Sequence, residues 1–310
     1  MNGSSMQRTW RRVCRSWQLY VFLILPVAYI LIFCYYPMAG LQIAFKKYNM
    51  SKGIWGSPWI GLKNFERFFA SYQFKRIIGN TLVLSFYSLL ASFPLPIALA
   101  LGLNAMRGER YRKFIQNVVY LPHFISTIVL IGILYQMMNP RTGVYGLAYS
   151  ALHDGAYAPN IVGQANSFRH FYVWSGVWQS MGWSSVIYIA ALSGVDKALH
   201  EAAQIDGASR LQRLWHVDVP HLLPTVSIML ILRMGSIMSV GFEKVYLMQN
   251  NLNLPTSEVI STYVYKVAMA SGTSDFSYST AIGMFNSLVN LLLMIVVNAI
   301  SRRLGEGGLW

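Results

Sequence analysis

Apolar runs near the 20 residues that a helix needs to cross a bilayer recur along this chain. Six spans are expected, at 19–36, 81–103, 118–138, 171–192, 222–241 and 278–300. Each must be helical, because an open strand would leave backbone N–H and C=O groups unpaired in lipid. The expected fold class is therefore all-α: a polytopic membrane protein with six transmembrane helices. Composition agrees. Charged residues make up 12% of the chain, against about 25% in a soluble domain, too few to build a water-facing surface.

The formal net charge of +14 would suggest nucleic acid in a soluble protein. Here the basic residues crowd beside apolar runs, as in Arg8, Arg11, Arg12 and Arg15, or Arg107, Arg110, Arg112 and Lys113. That distribution points to membrane lipid and to cytoplasmic loops, not to nucleic acid. It places the basic tail 1–18, the loop 104–117, the island 193–221 and the end 304–310 in the cytoplasm. The long loop 37–80 conflicts, since it holds seven Lys or Arg yet must lie outside. Long loops carry less topological weight, so the shorter loops decide. The chain then divides into a tail, a first helix with its external loop (19–80), a core (81–303) and the short C-terminal tail. Arginines followed by an apolar stretch imitate a signal peptide, but 19–36 is long for a signal core and no clear small-x-small site follows it. A retained first helix is expected. Cys14 and Cys34 cannot easily meet on this topology, so no disulfide is expected. Within 37–80, residues 61–69 read as a short amphipathic helix on the outer surface, with Trp55 and Trp59 near the membrane interface.

Between the fourth and fifth spans lies a polar island, Glu201-Ala-Ala-Gln-Ile-Asp-Gly-Ala208, followed by Ser209 and then Arg210 to Pro220. Asp196 suits an N-cap before Lys197, and Gly207 sits where a helix would stop in a left-handed residue. Ser209 can cap a second short helix through Leu214 and Trp215, and Pro220 is expected to end it. Leu199, Ala202 and Ala203 share one small apolar face, while Glu201 and Asp206 offer charge. The island reads either as a plain connector or as a docking element for a soluble partner.

Polar residues inside apolar runs need protein or water around them. Arg233, near the middle of the fifth span, suits either the transport pathway or a structural pair with a carbonyl or acid. Asn286 and Asn290 belong to a polar stripe in the last span that either lines a cavity or bonds to neighbouring helices. Trp183 and Gln179, in a band with Trp174 and Trp178, suit contact with a bound ligand or anchoring at the interface. Glu243 and Lys244 suit an external gate or a solvated edge. Pro94 and Pro96 are expected to kink the second span.

Other chemistry lacks its residues. No G-x-x-x-x-G-K-[ST] phosphate loop occurs, so ATP hydrolysis is not expected of this chain. His200-Glu201 begins a zinc-protease pattern, but residue 204 is Gln, and no Cys/His cluster has metal spacing. No catalytic nucleophile or carboxylate pair is visible, and no cofactor, metal or enzymatic activity is expected.

The island resembles the EAA motif of binding-protein-dependent ABC importer permeases, which have the type I importer fold. The match is Glu201-Ala202-Ala203, Asp206-Gly207-Ala208, Leu214-Trp215 and Val219-Pro220, with Val where Leu is commoner. Residues 37–45, 61–65 and 257–265 look like the oligo- and polysaccharide branch of that family. The resemblance implies a multi-pass cell-membrane subunit paired with a second permease, homologous or identical. It further implies two ABC ATPase subunits, an extracellular solute-binding protein and a carbohydrate substrate. Glu201 would be the main ATPase contact, Gly207 would permit the turn and Asp206 would steady it. A secondary transporter is the other reading, although such proteins show broken helices, inverted repeats or buried carboxylates, and the six expected spans contain no Asp or Glu. A membrane enzyme acting on polysaccharide would need acids near a membrane face.

Overall fold

A computed structural model describes residues 15–106, 108–270 and 274–303. The tail with Cys14, the basic residue Arg107 and the 304–310 end lie outside the described residues. Four helical stretches among the described residues are long and apolar enough to span a bilayer: Trp17–Phe45, Gln73–Asn104, Arg210–Met234 and Phe276–Arg303. These contain the first, second and last expected spans whole, and most of the fifth. The third run, expected as a span over 118–138, is broken. Helix Glu109–Tyr120 passes through a 3-10 turn, Leu121–Phe124, and a second helix, Thr127–Met137, leaves at 99°. Pro122 sits inside the turn, and the Ser126 hydroxyl accepts the Val129 N–H at 3.4 Å to start the new helix. The fourth run lies in helix Ala165–Leu192. Its 28 residues reach about 42 Å at 1.5 Å per residue, but its Trp, Ser, Gly and Gln leave it less apolar than the others. By length and apolarity the described residues thus supply four spans, or five with the bent pair, roughly consistent with the expected six-helix all-α fold.

The fifth span also differs from expectation at both ends. Pro220 does not stop a helix. Helix Arg210–Arg213 widens into a π turn, Leu214–Asp218, and continues as Val219–Met234. Proline normally clashes with the carbonyl four residues earlier, and the wide turn, in which the Val219 N–H reaches back to the Leu214 carbonyl, moves that carbonyl aside. At the other end the helix stops at Met234, before the expected 241. In the second span the expected proline kink is a break at Phe93, where Gln73–Ser92 ends and Pro94–Asn104 begins.

Ala165–Leu192 forms the middle of the molecule, packed on Pro94–Asn104, Gln73–Ser92 and Glu109–Tyr120. Around it Leu84, Ile131, Phe168, Val173 and Val245 form one core cluster, and Tyr188, Leu192, Leu222 and Ala100 another. The approach to Glu109–Tyr120 depends on Gly182, where a Cβ would stand 2.0 Å from the Val119 carbonyl oxygen. Backbone cannot yield as a side-chain tip can. Gly182→Ala is therefore expected to cost about 3 kcal/mol or more, seen as a lowered thermal unfolding midpoint of the detergent-purified protein.

The expected amphipathic helix forms at Lys63–Ala70, but it does not merely lie on a surface. Phe68 is fully buried and meets Phe74, Tyr278 and Phe285 edge-on, fixing the loop to Phe276–Arg303. A second tie joins segments far apart in sequence. The buried Glu258 carboxylate pairs with Arg76 and with Lys266, the latter at 3.4 Å. Beside it the Asn80 amide donates to the carbonyls of Pro255 at 2.8 Å and Glu258 at 3.1 Å, while its oxygen accepts from Arg169 at 2.9 Å.

Candidate coupling loop and translocation cavity

The polar island folds as two capped helices at right positions for an exposed tip. The Asp196 carboxylate accepts the Ala198 N–H at 2.9 Å and starts Lys197–Ile205. Gly207 takes φ +80°, and the Ala208 N–H closes back on the Ala203 carbonyl at 2.9 Å. A residue with a Cβ would strain that left-handed turn. Ser209 and Gln212 then form a reciprocal capping box. The Arg213 guanidinium donates to the Gln204 side chain at 3.3 Å, bracing one short helix against the other.

Glu201, Ala202, Asp206 and Gly207 are exposed, Ala203 and Ala208 half-buried. Ile205 is 86% exposed and Trp215 63%, so the tip carries uncovered apolar surface beside its acids; Leu214 is half-buried and Pro220 exposed at the root. Asp206 closes the first helix through its backbone N–H, which donates to the Ala202 carbonyl at 3.0 Å, and among the described residues its carboxylate forms no ion pair.

Asp218 went unread in the sequence. It is buried, and its carboxylate receives His200 Nε2 at 3.2 Å and the Asn104 amide at 3.4 Å. One acid thus joins the first island helix, the end of the second span and the root of the fifth. A lone Asp before Val219-Pro220 in a chain poor in acids was the available signal.

Deeper in the bundle, Arg233 lines two cavities, of about 210 and 170 Å³, that share it and Ser92. The larger is walled by Ser85, Ser88, Tyr172 and Ser236, the smaller by Trp183 and Tyr188. The structure thus brings Arg233 and Trp183 together. Trp183 stacks on His123, with ring centroids 4.8 Å apart. Gln179 and Asn290 are engaged with protein. Gln179 donates to the Ile125 carbonyl at 2.7 Å across the broken third span. Asn290 accepts the Met238 N–H at 2.8 Å and donates to Ser239 at 3.0 Å. Asn286 keeps a buried amide oxygen that meets no partner among the described residues. Lys244 is no solvated edge: its ammonium is buried and lies 5.0 Å from the centre of the Tyr172 ring. Burial pulls its pKa down to about 8, which leaves it cationic at neutral pH.

This arrangement, an exposed capped loop on spans that enclose a polar cavity, can be compared with known proteins. Residues 92–306 match the model of the binding-protein-dependent transport system inner membrane component family. The chain belongs to that family. It is a transport permease subunit of the inner membrane. Among curated relatives, Protein LplB of Bacillus subtilis (strain 168) is 39% identical over 94% of this chain and 91% of its own length. The polygalacturonan/rhamnogalacturonan transport system permease protein YteP of the same organism is 38% identical over 94% and 90%. A solved chain from a bacterial ABC transporter that imports the acidic polysaccharide alginate aligns with a TM-score of 0.86 at 39% identity, covering 96% of this chain and 99% of that one.

Proposed function

We propose that this permease subunit is half of the membrane portion of an ABC importer for oligo- or polysaccharides. An external solute-binding protein delivers the sugar, and ATPase subunits drive the cycle by gripping the 193–221 loop. The observation that carries this reading is the loop itself. Glu201 projects on a helix fixed at both ends, and Asp218 ties that helix to the roots of two spans. A push on the loop is therefore delivered to the bundle, as rigid-body switching between inward- and outward-facing states requires.

The carbohydrate assignment draws support from YteP, named for polygalacturonan and rhamnogalacturonan transport. Further support comes from an alginate transporter solved with a periplasmic protein holding an alginate pentasaccharide, whose chain aligns at a TM-score of 0.87 and 38% identity. The partner permease is a homologous or identical chain, and both termini face the cytoplasm, on the same side as the basic loops.

Ala202→Cys in the assembled transporter tests the reading by disulfide or bifunctional crosslinking. The expected product joins this chain to an ATPase subunit. A transport-competent complex in which position 202 crosslinks to no nucleotide-binding subunit would overturn it. Uptake driven by an ion gradient without ATP would favour a secondary transporter.

A further inference from the structure

Arg233 and Lys244 are cations with no acid partner among the described residues. Arg76 and Lys266 share Glu258, and Arg67 meets Asp275. Among the described residues no Asp or Glu lines either cavity at Arg233. Glu243, next to Lys244, is exposed. Tyr172 links the two cations, since it walls the larger cavity and carries the Lys244 ammonium against its ring.

The same cavity holds unspent hydrogen-bonding groups. Among the described residues the buried hydroxyls of Ser85 and Ser88 meet no partner, and Ser85 is only 5% exposed. Buried polar groups are normally satisfied, and Arg233, in the last turn of Val219–Met234 and open to the cavities, has no acid among the described residues to answer its charge. A ligand that supplies both an anion and hydroxyls would answer all of these groups at once, whereas a neutral sugar would leave the guanidinium unpaired.

We propose that this cavity selects saccharides bearing carboxylates, with Arg233 receiving a uronate carboxylate and Ser85 and Ser88 receiving ring hydroxyls. The planar fork of arginine suits a bidentate carboxylate, and Lys244 adds a second positive charge through its place on Tyr172. This inference rests on the saccharide reading above and narrows it to acidic sugars.

The test uses the complete transporter in lipid nanodiscs, without the solute-binding protein. The probes are trisaccharides of galacturonate, mannuronate and guluronate, each beside its carboxyl-reduced neutral counterpart, with binding read by tryptophan quenching. At least one acidic probe is expected to bind about tenfold or more tightly than its neutral counterpart, the loss typical when a hydrogen bond to a charged group is removed. Arg233→Gln should abolish that preference, Arg233→Lys should keep part of it, and Lys244→Met should reduce it. Equal binding of acidic and neutral probes, or a preference that survives Arg233→Gln, would overturn the inference and leave the saccharide reading standing. Binding of none of the probes would overturn both.

Discussion

Glu201→Lys is expected to lower ATP-driven uptake about a hundredfold while the protein still inserts and assembles. Truncating or reversing a charge at a packed interface costs about 2–5 kcal/mol, and a hundredfold loss lies within that range. The change should act on coupling alone. Glu201 is exposed, forms no ion pair among the described residues, and sits in the middle of a nine-residue helix whose caps are Asp196 and the Gly207 turn. Membrane insertion, followed by protease protection and yield, should stay at the wild-type level. Uptake at the wild-type rate would remove Glu201 from the ATPase contact.

Glu258→Gln is expected to be the most damaging change outside the close-packed glycine contacts. It leaves Arg76 and Lys266 facing a neutral group, and breaking a buried pair from one side costs about 3–5 kcal/mol. The side chains of Arg76 and Lys266 are 37% and 33% exposed, so water recovers part of the loss and the lower figure, about 3 kcal/mol, is expected. A clear fall in the unfolding midpoint of the purified complex should follow. An unchanged midpoint would mean that the cluster around Asn80 holds these segments without the carboxylate.

Local chemistry was readable from the residues. Asp196, Gly207 and Ser209 act through atoms two to five residues away, so their roles as cap, turn and cap needed no knowledge of the rest of the molecule. The last span was readable because it is one uninterrupted apolar helix. The third was not: an apolar run reports length, and the 99° break at 121–126 depends on what Ala165–Leu192 packs against. Pro220 misled for a related reason, since proline ends an α-helix but is tolerated after a wide turn. Lys244 and Asp218 escaped because burial of a charge is a tertiary fact. Arg233 was visible as an anomaly in an apolar run, while its meeting with Trp183 and the paired serines was not.

The five-residue wide turn at Leu214–Asp218 sets the angular phase between the handle and the shaft below it. One residue of α-helix turns about 100°, so removing a single residue there would turn the handle relative to the shaft and break the His200–Asp218 tie. Chimeras that exchange this region between related transporters should therefore keep the junction whole and be spliced below Val219, or the transplanted handle will lose the orientation that the proposed ATPase contact needs.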